Sequence, residues 1–78
     1  MVWSFEVYKS DTGKSISVFY VIVWNERARE GEHFDIRVHV IHKADDIHIE
    51  IIGEDSGKIP SGIIEDIKTY CEDLICQR

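Results

Sequence analysis

An α+β fold, a four-stranded antiparallel β-meander with a C-terminal amphipathic helix packed on one face (ββββα), follows from three features of this sequence. Long stretches of the first two thirds are rich in valine, isoleucine and aromatic residues and poor in alanine. Short clusters of turn-forming residues divide those stretches into segments of strand length. Towards the C-terminus the apolar spacing changes from the strand period to the helical one.

The strands are expected at "VWSFEVYK" (2–9), "SISVFYVIVWNE" (15–26), "HFDIRVHVIHK" (33–43) and "DIHIEIIGE" (46–54). "SDTGK" (10–14) and "AREGE" (28–32) each place two turn-compatible residues before a glycine and a charged residue. That order suits a three-residue hairpin loop, a type I turn followed by a left-handed glycine at Gly13 and Gly31. The third reversal, "KADD" (43–46), has no glycine but has Asp45 and Asp46, which tolerate turn geometry. "GEDSGKIPSG" (53–62) holds the chain's one proline and reads as a loop.

From about 61 to 77 the apolar residues Ile63, Ile64, Ile67, Tyr70, Cys71, Leu74 and Ile75 recur at helical spacing. Glu65, Asp66, Lys68, Thr69, Glu72 and Asp73 fill the opposite side. Ser61 is placed to cap the start, and Arg78 suits the negative end of the dipole. Residues 1–78 make one small domain, near the lower limit of what folds alone, so a partner burying more apolar surface would add considerably to its stability.

Acidic residues outnumber basic ones by 15 to 9. Affinity for nucleic acid comes mainly from Lys and Arg at phosphates, so nucleic acid and anionic membranes are not the expected partners. A basic protein surface is the better electrostatic match. The N-terminus lacks signal-peptide organisation, and the apolar run "VFYVIVW" (18–24) is too short to span a bilayer, which points to the cytoplasm. Cys71 and Cys76 fall well apart around a helix and are expected to be reduced.

Strand register assigns the faces. Closing the third hairpin at Lys43 and Asp46 sets Val40 opposite Ile49, Val38 opposite Ile51, His39 opposite Glu50 and Ile41 opposite His48. With Arg29, Glu30 and Gly31 as the second loop, Trp24 stands opposite Ile36, Ile22 opposite Val38 and Tyr20 opposite Val40, a bed for the helix. The first loop at Asp11, Thr12 and Gly13 then puts Phe5 opposite Phe19 and Trp3 opposite Val21. On this reading Trp3, Phe5, Val7, Phe19, Val21, Val23 and Ile41, joined by Ile52, form an apolar patch on the helix-free face. Such a patch usually marks an interface. Asp35, Arg37, His39 and Glu50 would be its polar rim.

No residue pattern names a reaction. His33, His39, His42 and His48 do not converge as zinc requires, since His33 and His39 lie roughly 20 Å apart along one strand. Catalysis by Asp35, Arg37, His39 and Glu50 would need a pocket and burial that an open sheet face lacks. "EDSGKIPSG" departs from the phosphate-loop spacing, because Gly53 to Gly57 is one residue short and Ile59 follows the lysine. Catalytic, cofactor and metal sites are therefore not expected.

The expected function is a non-enzymatic, protein-binding one, an inhibitor or adaptor that dimerises or binds a basic host protein through the helix-free sheet face. Glu65, Asp66, Glu72 and Asp73 offer a further acidic docking face on the helix. Size and charge are similar to those of the small acidic proteins with which phages and mobile elements block host machinery, anti-CRISPR inhibitors included. In topology the chain also resembles the single-stranded DNA-binding transcriptional coactivators, which dimerise through their helix. That resemblance implies base stacking on Trp3, Phe5 and Phe19, although the basic groove of such proteins is missing here.

Overall fold

The computed structural model describes residues 2–27 and 32–76. Its elements are β1 (Trp3–Thr12), β2 (Ile16–Asn25), β3 (His33–Lys43), β4 (Asp46–Ile52), a short 3-10 turn (Ser56–Lys58) and α1 (Ser61–Cys76). The strands form one antiparallel sheet in the order β1-β2-β3-β4. Helix α1 packs across one face, nearest β3. This is the ββββα arrangement expected from the sequence.

The third hairpin pairs as its turn residues predict: Lys43 with Asp46, Val40 with Ile49, Val38 with Ile51 and His39 with Glu50. The second hairpin differs. Trp24 stands opposite His33 and Val23 opposite Phe34, so each β2 residue has shifted by three positions from the expected pairing. An odd shift exchanges the two faces of a strand. The cause begins at Asn25, whose Oδ1 accepts a hydrogen bond from the Arg27 amide at 2.9 Å. This side-chain turn ends β2 at Asn25, ahead of the expected loop. Most of that loop, including Arg29, Glu30 and Gly31, lies outside the described residues.

From Trp3 to Val7 the first hairpin shifts by four positions, an even number, so Trp3, Phe5 and Val7 keep the company of Val21 and Val23. Phe5 pairs with Val23 and Trp3 with Asn25, and a bulge at Tyr8 separates Val7 from Lys9. The strands run on to a Thr12–Ser17 pair, into the predicted loop. Gly13 is not left-handed. It is required because a Cβ there would come within 2.7 Å of the Ile16 carbonyl oxygen.

The core therefore joins Phe19, Val21 and Val23 of β2 with Ile36, Val38 and Val40 of β3 and with Ile59, Ile63, Ile67 and Cys71. Trp3, Phe5 and Val7 pack at its edge, and the Phe5 ring meets Tyr70 of α1 edge-on at 5.6 Å between centroids. The expected helix-free patch is thus corrected. Trp3, Phe5, Val7, Phe19, Val21 and Val23 lie on the helix side, while Ile41 lies on the open one. The choice of side has a physical basis. The residues Phe19, Val21 and Val23 have no polar atoms to satisfy, whereas Tyr20 and Trp24 carry a hydroxyl and an indole N–H that gain from contact with water.

Ser61 is the first residue of α1 and does not cap it. The Pro60 carbonyl accepts the amides of Ile63 and Ile64 at 3.0 and 3.1 Å instead. Of the predicted stripe, Ile63, Ile67 and Cys71 are buried, Ile64, Leu74 and Ile75 are half-buried and Tyr70 is largely exposed.

Candidate functional site

The face turned away from α1 carries the alternate residues of each strand. On β2 these are Ile16, Val18, Tyr20, Ile22 and Trp24, four of them half-buried in the isolated chain and Ile16 exposed. Register places their neighbours in rows across the sheet. Trp24 lies between Ser4 and His33, and Ile22 between Glu6 and Asp35. Tyr20 lies between Lys9 and Arg37, with Ile52 beyond Arg37. Val18 lies between Asp11 and His39, with Glu50 beyond. Ile41 closes the stripe, beside Ile16 and His48.

The apolar stripe is therefore real, but its members differ from those expected. The register expected from the sequence places Tyr20, Ile22 and Trp24 in the helix bed instead. The polar residues Asp35, Arg37, His39 and Glu50 do stand on the open face, flanking the stripe on its β3–β4 side. Tyr8, turned outward by the bulge and 55% exposed, extends the face towards β1. Two signals in the sequence pointed this way: the polar tips of Tyr20 and Trp24, and an asparagine at the end of β2.

At the centre the Tyr8 and Tyr20 rings lie 6.4 Å apart, tilted by 48°. Lys9 Nζ sits 5.0 Å from the Tyr20 centroid, a cation–π distance. Tyr8, Tyr20, Asp35, Arg37, Ile52 and Gly53 line an open depression of about 360 Å³. Gly53 lets the backbone pass close to β3, since a Cβ there would lie 3.0 Å from the Ile36 side chain and 3.2 Å from the Asp35 carbonyl oxygen.

Among the described residues, His48 Nε2 and Glu50 Oε1 share a hydrogen bond of 3.1 Å, and ion pairs join Lys58 to Asp55 at 3.1 Å and Lys68 to Glu65 at 3.8 Å. Glu50 thus bonds its strand neighbour rather than His39. Neither Asp35 nor Arg37 has an ion-pair partner among the described residues. No group of three or more His, Cys, Asp or Glu side chains is placed to hold a metal ion among them. The Cys71 thiol, pushed up to about 11 by burial, lies beneath α1 on the other side of the sheet. Glu65, Asp66, Glu72 and Asp73 are all exposed on the outer side of α1. No described helix is long and apolar enough to cross a membrane.

The open face is thus a surface of aromatic and aliphatic groups between charged rows. No protein-family model, curated protein or solved structure matches the chain.

Proposed function

We propose that this protein is a non-enzymatic binding module that engages a protein through the helix-free face of its sheet. One observation carries the reading: Val18, Tyr20, Ile22, Trp24, Ile41 and Ile52 stand side by side on that face with no described element over them. Tyr, Trp and Arg are the residues on which protein interfaces most often depend, and an apolar centre with a charged border is the usual anatomy of such a surface. An inhibitor or adaptor role suits the small size and the net charge of −6. The exposed Glu65, Asp66, Glu72 and Asp73 supply a second, electrostatic contact for a basic partner.

The exposed Tyr8 and half-buried Tyr20 rings, with Lys9 and Arg37 beside them, favour a second reading as a platform for stacked nucleic-acid bases. Charge decides against it. The same face carries Glu6, Asp11, Asp35, Asp46 and Glu50 against Lys9, Arg37 and Lys43, which repels a phosphate backbone.

The test is the double variant Ile22→Glu with Trp24→Ser. Variant and wild type should both melt cooperatively, yet the variant should lose self-association in sedimentation and lose any partner captured by the wild type from host lysate. Retention of those assemblies by the variant, or the absence of both self-association and a captured partner with the wild type, would overturn the proposal.

A further inference from the structure

The charged residues of the open face follow a pattern that specifies an occupant. The row through Ile22 has Glu6 on one side and Asp35 on the other. The next row, through Tyr20, has Lys9 and Arg37 in the corresponding places. Acid in one row is thus matched by base in the next, on β1 and again on β3. Asp35 and Arg37 find no ion-pair partner among the described residues.

Resting on the proposed binding role of this face, we infer that its occupant is a second copy of the same chain. The two sheets pack face to face about a two-fold axis that runs across the strands, between the Ile22 and Tyr20 rows. Such an axis exchanges the rows. Asp35 of each protomer then meets Arg37 of its partner, and Glu6 meets the partner's Lys9. The four charge pairs are satisfied at once. Rows two residues apart along a strand are separated by roughly 7 Å, so each lies only about 3.4 Å from the axis. Packed sheets stand about 10 Å apart, a gap that Arg and Lys side chains bridge readily.

The apolar residues follow the same operation. Ile22 rests on the partner's Tyr20, and Trp24 on the partner's Val18, giving an isologous contact whose centre is aromatic and aliphatic. A two-fold axis along β2 does not work, because it would lay Glu6 over the partner's Asp35 and Lys9 over the partner's Arg37, like charge on like. The molecule measures 44 × 23 × 20 Å, so this face is large enough for the roughly 800 Å² per partner of a standard interface. The two helices then point outward and present Glu65, Asp66, Glu72 and Asp73 on opposite sides of the dimer.

Charge reversal at the exposed Asp35 and Arg37 tests this without touching the core. In sedimentation equilibrium the wild type should be a dimer, whereas Asp35→Arg alone and Arg37→Asp alone should each dimerise at least about tenfold more weakly. An equimolar mixture of the two variants should recover the dimer as a mixed species, seen by native mass spectrometry, because each face then meets its complement. Thermal melts of the variants should stay within a few degrees of wild type. The inference is overturned if both variants dimerise like the wild type, or if the mixture fails to pair. A monomeric wild type also overturns it. In that case the broader binding role still stands if Ile22→Glu with Trp24→Ser loses a captured partner, and falls if it does not. A wild-type dimer that survives Ile22→Glu with Trp24→Ser places the contact elsewhere and removes both proposals together.

Discussion

Ser17 of β2 and His42 of β3 are joined by a hydrogen bond of 3.2 Å between Oγ and Nε2, on the side of the sheet that faces α1. Ser17 is 1% exposed and the His42 ring is half-buried. The two groups are therefore not equivalent. If Ser17 becomes Ala, the histidine can turn its nitrogen to water, and the loss should be about 1 kcal/mol in urea unfolding. If His42 becomes Phe, the buried hydroxyl loses its partner, and the loss should be larger, about 1–3 kcal/mol. An equal or reversed order would show that the bond does not hold Ser17 in place.

Phe19 distinguishes the observed core from the one its sequence neighbours suggest. At 2% exposure, Phe19→Ala should cost about 3–5 kcal/mol, a large share of the stability of so small a domain. The next residue, Tyr20, faces the other way, and Tyr20→Ala should cost far less in dilute monomeric protein. Chemical denaturation of the pair checks the register of β2 directly, because a one-residue slip would exchange the two results.

Two glycines should respond oppositely to alanine. At Gly13 the added Cβ would meet the Ile16 carbonyl oxygen at 2.7 Å, a backbone atom that cannot move aside. Gly13→Ala should therefore destabilise by about 1–3 kcal/mol. At Gly57 nothing lies within 4 Å of the new atom. Gly57→Ala should be neutral or stabilise by up to about 1 kcal/mol through the unfolded chain. Differential scanning calorimetry of the two variants reads both signs.

The cysteines should differ sharply in reactivity. Cys76 is exposed, while Cys71 is buried with its thiol pushed up to about 11. A thiol reagent at pH 7.5 should modify Cys76 quickly and Cys71 only on unfolding. The same shift has a stability consequence. The unfolded thiol ionises near 9 and the folded one near 11, so between those values the unfolded state holds fewer protons. The contribution is complete below pH 9 and is lost as pH rises through 11. Cys71→Ser, compared with wild type across that window, should flatten the alkaline decline in melting temperature.

Several elements were legible from local chemistry alone. The strands announce themselves by β-branched and aromatic runs, and α1 by apolar residues at three and four, because both signals depend on a few neighbouring residues. The third hairpin was also legible in register, since its two-residue turn leaves no freedom between Lys43 and Asp46. The second hairpin was not. Its loop is long enough to close in several ways, and the Asn25 turn that selects one of them competes with an equally plausible glycine turn farther on.

What the sequence determined by itself is that "VFYVIVW" must divide into two apolar sets, one beneath α1 and one on the face that α1 does not cover. Alternation along a strand makes that division unavoidable, and a single helix covers one face of a sheet. Only the tertiary structure decided which set is which. A shift of three residues in the β2–β3 pairing sends Phe19, Val21 and Val23 under α1 and leaves Val18, Tyr20, Ile22 and Trp24 on the open side. The rows that set Glu6 and Asp35 beside Lys9 and Arg37 also exist only once three strands are in register. Long-range pairing is the physical reason, because it brings together residues that no local pattern connects.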